Sequence, residues 1–195
     1  MKTRKKQVQF IILVLWSVML GNSKLLAQNY QATAANSTLK VQGTSNVHDW
    51  DMSAEQFTVK AMIEKNGETI EIKTLSLEAL AEGLKSGKGG MDKNTYKALK
   101  TDKSKNIRFN ATKTVSINLA SANTYKVEME GVMEIAGKKQ TTNISFDLVS
   151  SNNGYTLTGA KLINMPEYDV TPPTALMGTI KTGADVTIEY NINLK

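Results

Sequence analysis

The chain contains no cysteine and a single histidine among its 195 residues. Without thiols it can form no disulfide, no thiolate nucleophile and no thiolate metal site. One imidazole, His48, with Asp49 and Asp51 beside it, is a poor ligand set for a transition metal, so neither a metal nor another cofactor is expected. A G-x-S-x-G nucleophile elbow is absent too, and a serine hydrolase would have only His48 as its base. No catalytic residue is expected, and an isomerase or hydrolase using His48 is the weakest functional reading. The stretch Gly83-Leu84-Lys85-Ser86-Gly87-Lys88-Gly89-Gly90 lacks phosphate-loop spacing and reads as a mobile loop.

The N-terminus carries Lys2, Arg4, Lys5 and Lys6, then an apolar run from Phe10 to Leu20, then Leu25-Leu26-Ala27 before Gln28. A charged segment, a short apolar segment and a small residue at the cut make an export signal over residues 1–27. The run is shorter than the ~20 apolar residues of a membrane span, so no integral span is expected after processing. A periplasmic or secreted location follows. Residues 1–27 hold five basic residues and no acid, so their removal lowers the formal charge from +6 to +1. That leaves little field to attract nucleic acid.

Removing 27 of 195 residues leaves 168, a single-domain length that can bury ~70% of its unfolded surface. Residues 28–37 are short, polar and Ala-rich and read as a flexible leader. From Thr38 the pattern alternates with period two. Phe57, Val59, Ala61 and Ile63 share one parity, and the same alternation recurs in Ile107 and Phe109, in Val127 and Met129, in Ile144 and Phe146, and in Ile188 and Tyr190. About eight strands are predicted: Thr38 to Gly43, Trp50 to Ile63, Thr69 to Ser76, Asn106 to Leu119, Asn123 to Ala136, Lys138 to Val149, Tyr155 to Leu162 and Asp185 to Leu194. Asp92 to Lys100 reads as one short helix with Asp92 able to cap it. The fold class is all-β, a single antiparallel domain. Eight strands close most economically into a barrel, with a sandwich as the competing arrangement.

Four segments resemble the YceI-like family. They are Gly43-Thr44-Ser45-Asn46-Val47-His48-Asp49-Trp50, Met91 to Lys100 followed by Asn106-Ile107-Arg108-Phe109, Met129 to Lys138, and Met165 to Pro173 running on through Gly178 to Glu189. Asn106 stands where the family's nearby proline motif is expected. The resemblance spans residues 38–195 and implies an eight-stranded lipocalin-like barrel with an apolar channel, occupied in several members by a long isoprenoid chain.

A barrel of this kind would hold a lipid or isoprenoid partner by hydrophobic burial. The candidate interior lining is Phe57, Val59, Ile107, Phe109, Val127, Met129, Phe146, Ile188 and Tyr190. His48, Trp50, Met91, Met165 and Met177 are the candidate barrel mouth, where His48 could donate to a polar head group. A homodimer is compatible with the pattern. The rival function is a structural or interaction barrel whose core is filled by its own side chains.

Overall fold

The computed structural model describes residues 27–195. All of the expected export signal except its last residue, Ala27, therefore lies outside the described residues. Apolar/polar alternation becomes strand along most of the described chain. The strands are β1 (Gln28–Thr33), β2 (Thr38–Ser45), β3 (Trp50–Ala54), β4 (Phe57–Asn66), β5 (Thr69–Leu80), β6 (Leu84–Lys85), β7 (Asn106–Ala111), β8 (Val115–Asn118), β9 (Thr124–Ile135), β10 (Lys138–Ser151), β11 (Gly154–Asn164), β12 (Thr174–Ala175) and β13 (Ile180–Leu194). One helix, α1 (Gly89–Ala98), sits between β6 and β7.

All pairings are antiparallel, in the order β1-β4-β5-β7-β9-β10-β11-β13-β2-β3-β6. Short turns join the neighbours β2 and β3, β4 and β5, β9 and β10, and β10 and β11. Between β9 and β10, Ala136 (φ 51°) and Gly137 (φ 83°) both take left-handed backbone, which matches the twist of a two-residue hairpin. The sheet curls until its edge strand β1 meets the end of β13: the Gln31 N–H donates to the Lys195 carbonyl at 2.9 Å, and the Lys195 N–H to that of Gln31 at 3.1 Å. The result is an all-β, barrel-like sheet.

Several boundaries differ from the sequence reading. Residues 28–37 are not a loose leader, because β1 pairs with β4 from Gln28↔Ile63 to Thr33↔Thr58. The expected strand from Trp50 to Ile63 breaks after Ala54, and Asn106 to Leu119 splits so that β8 can pair with the start of β5. These two splits, β1 and the two-residue strands β6 and β12 bring the count to thirteen strands among the described residues where the pattern gave eight. The helix begins at Gly89, earlier than Asp92. Asp92 does not cap it. Its Oδ1 instead accepts from the Ser86 N–H (2.9 Å) and hydroxyl (2.6 Å), which fixes the glycine-rich loop and holds the Asp92 carboxyl below its ordinary range.

The helix has no fully buried residue, and polar contacts tie it down. The Tyr96 hydroxyl shares its proton between the carbonyls of Glu82 and Leu84, and the Lys85 ammonium donates to Tyr96 at 2.6 Å. The core lies within the curl. At one end it is filled: Ile70, Ile72, Tyr125, Met129, Leu148 and Leu194 are each at most 1% exposed. Tyr30 meets Tyr155 edge to face at 5.2 Å. Each such large apolar side chain contributes ~1.5–3 kcal/mol by leaving water.

Candidate functional site

The opposite end is hollow. There α1 and the single turn Met165–Tyr168 stand off from the sheet and enclose a cavity of about 640 Å³. Val41, Met52, Ile107 and Ile188 form its sheet wall, Met91 and Ala98 its helix wall, and Ile163, Met165 and Tyr168 its flank. A second void of about 90 Å³ lies deeper, between Val59, Leu77, Phe109, Leu157 and Tyr190. Both voids are lined by Val41, Leu84, Ile107 and Ile188, so the small one continues the large one into the barrel.

The hollow has identifiable causes. The β10–β11 ladder runs only from Phe146↔Gly159 to Ser151↔Gly154. Beyond it β10 diverges, and the turn at Met165–Tyr168 bridges the gap, with the Gln140 side-chain amide donating to the Glu167 carbonyl at 2.8 Å. At the seam the Tyr190 hydroxyl donates to the Ser145 carbonyl at 3.0 Å. Its ring can lie there because residue 159 is glycine: a Cβ on Gly159 would stand 2.6 Å from Tyr190 Cε2. Burial pushes the Tyr190 phenol up to about 12. Gly43 plays the same part at the rim, where a Cβ would meet the Trp50 ring at 2.2 Å. The Trp50 indole N–H donates to the Thr44 carbonyl at 3.0 Å.

The expected interior residues divide along this line. Ile107, Ile188, Val59, Phe109 and Tyr190 border one or both voids. Phe57, Val127, Met129 and Phe146 do not: they are buried and packed in the core cluster. All four share the inward parity; Val127, Met129 and Phe146 pack against side chains from opposing strands, whereas Phe57 lies level with Ala79 and Ile107 at the other end of the barrel and is packed there without bordering either void. Of the expected mouth residues, His48, Trp50, Met91 and Met165 line the cavity. Met177 does not line it: a left-handed turn at Leu176 (φ 48°) and Met177 (φ 57°) beside the rim faces it outward, fully exposed.

Lys161 was missed by the sequence reading. It sits opposite Ile188 and lines the deeper void. The series Tyr155, Leu157, Gly159, Lys161, Ile163 carries the signal, since strict alternation gives Gly159 and Lys161 the inward parity. His48 Nδ1 lies 2.7 Å from the Asp49 carbonyl oxygen, to which it donates. Among the described residues no three His, Asp or Glu side chains gather as a metal site. The cavity lining includes Lys88, Lys93 and His48 and no carboxylate. What the arrangement can do is take up an apolar chain from the α1 end.

Fold and cavity together define a barrel-like β-protein with an apolar internal pocket open at one end. The YceI-like domain matches residues 28–194, and the chain belongs to that family. Among solved structures it is similar to BcnA of Burkholderia cenocepacia, with a TM-score of 0.62 and 14% identity over 84% of this chain and 99% of that one. It is also similar to a polyisoprenoid binding domain from Saccharophagus degradans implicated in plant cell wall breakdown. That match has a TM-score of 0.61 and 10% identity over 87% of this chain and 99% of that one. At these identities the likeness establishes the fold. No curated protein sequence matches the chain.

Proposed function

We propose that this protein binds one long apolar ligand, an isoprenoid or another lipid, with its chain in the cavity beneath α1 and its tip in the void beside Phe109 and Tyr190. The observation that carries the reading is the 640 Å³ cavity and its predominantly apolar wall. Burial alone supplies the affinity, since ten methylenes leaving water contribute ~8 kcal/mol before ordering costs. The role requires no bond to be made or broken. The polyisoprenoid-binding relative, which shares the fold, supports an isoprenoid as one candidate.

We also infer that the protein works outside the cytoplasm, in the periplasm or secreted. The support is the charged and then apolar segment that ends at Ala27.

Organic extraction of protein purified from an exporting host, followed by mass spectrometry, tests the binding reading. A single class of long-chain lipid at near one per chain is expected. Protein that carries no lipid and takes up none when offered isoprenoid or acyl chains would favour the rival barrel with an external partner.

A further inference from the structure

The cavity rim carries apolar side chains that the fold leaves bare. Val47 is 61% exposed, Leu176 73% and Met177 109%. They belong to two turns held together by Asn46, whose side-chain amide donates to the Thr179 carbonyl at 3.0 Å while its Oδ1 accepts from the Lys181 N–H at 2.8 Å. The Asn46 N–H donates in turn to the Lys181 carbonyl at 3.1 Å. The tip is built in an uncommon way: Leu176, Met177 and Gly178 have φ of 48°, 57° and 88° in succession. L side chains rarely adopt that backbone, and here it turns two large apolar groups toward solvent. Open space surrounds Gly178, where an added Cβ would touch nothing within 4 Å.

These turns flank the opening. Ser45 and His48 on one side, and Ala175 and Ile180 on the other, line the cavity. Lys88 and Lys93 line it as well, and Lys181 adjoins the Asn46 tie. Among the described residues none of these three lysines forms an ion pair. Of the acids on the elements around the opening, Asp92 is bonded to Ser86 and Asp169 is paired with Lys138, so the three lysines face Asp49 and Glu167. Exposed apolar tips among unpaired cations, set around the door of an apolar cavity, match the chemistry of one partner.

We propose that the Val47 and Leu176–Met177 turns are a docking tip for an anionic lipid bilayer, into which their side chains insert while Lys88, Lys93 and Lys181 meet the headgroups. Insertion sets the cavity mouth against the acyl region, so a lipid chain passes between bilayer and barrel without crossing water. The proposal rests on the cavity being a lipid site.

The test is co-sedimentation of residues 28–195, which leaves out the apolar Phe10–Leu20 run, with vesicles of equimolar phosphatidylcholine and phosphatidylglycerol. Wild type should bind, and the L176S/M177S double variant should lose about tenfold or more in partitioning. L162S removes another exposed leucine, on the outside of β11, and should change nothing. Vesicles of phosphatidylcholine alone should bind wild type several-fold more weakly. Double-variant binding equal to wild type would overturn the proposal, as would wild type ignoring the anionic vesicles. Lipid content by extraction keeps the two readings apart. Retained lipid with no vesicle binding defeats the docking tip alone, whereas tip-dependent vesicle binding by a barrel that carries no lipid and takes up no offered isoprenoid or acyl chain supports the tip and defeats the cavity reading.

Discussion

Ile188 stands where the two voids meet, and Met129 stands in the filled end of the same inner face. Replacing each with tryptophan adds bulk to opposite ends of one barrel. At Met129, which is 1% exposed, the added ring has no space to enter. Overpacking of that kind costs ~1–3 kcal/mol. For a domain of this size each kcal/mol lowers Tm by ~2–4 °C, so M129W should melt ~2–12 °C below wild type. At Ile188 the ring can lean into the 640 Å³ cavity, and the ligand-free protein should melt within ~2 °C of wild type. It would occupy the passage to the deeper void, and lipid retention should fall at least ~10-fold, in line with the loss of a few buried methylenes at ~0.8 kcal/mol each. Calorimetry of delipidated protein and mass spectrometry of extracts measure the two effects. If I188W unfolds the protein as M129W does and lipid retention is untouched, the division into hollow and filled ends is wrong.

Y190F removes the hydrogen bond to the Ser145 carbonyl and should cost ~0.5–1.5 kcal/mol in urea unfolding. G159A should cost more, because its Cβ would meet both Ser145 O and the Tyr190 ring at 2.6 Å and the ring must leave the seam. Stability should fall as pH rises from ~10 toward ~12. The buried Tyr155 and half-buried Tyr190 phenols are raised to about 12, so the unfolded chain releases their protons first and gains at the folded state's expense. Unfolding midpoints across that range check it, and a flat profile would contradict it. H48A should leave lipid retention within a few fold, since its ring is exposed at the rim and bonded only to the Asp49 carbonyl. N-terminal sequencing of exported protein should find Gln28 or a near neighbour first.

Much of the sheet was legible because the side-chain period of a strand is read directly from apolar alternation. Phe57, Val59, Phe109, Val127, Met129 and Phe146 all face the core as that parity requires. Parity says which face a residue takes and nothing of what lies across the barrel. Val127 and Ile188 look alike in the sequence, yet one is packed and the other borders a cavity. The difference arises from the short β10–β11 ladder and from the stand-off of α1, both long-range features. β1 escaped notice for a related reason: Gln28–Thr33 is polar on its outward side and short, and its pairing with β4 and its contact with Lys195 supply what composition does not show. Gly159 and Lys161 break the apolar series of their strand, and they mark the seam and the void beside it.

The most direct measurement is a crystal structure of the lipid-loaded protein from an exporting host. The account requires chain density under α1, against Met91, Ile107, Ile163 and Ile188, with its end beside Phe109 and Tyr190. Density among Val127, Met129 and Phe146, or a loaded protein whose cavity is empty and whose lipid lies outside the barrel, would contradict it.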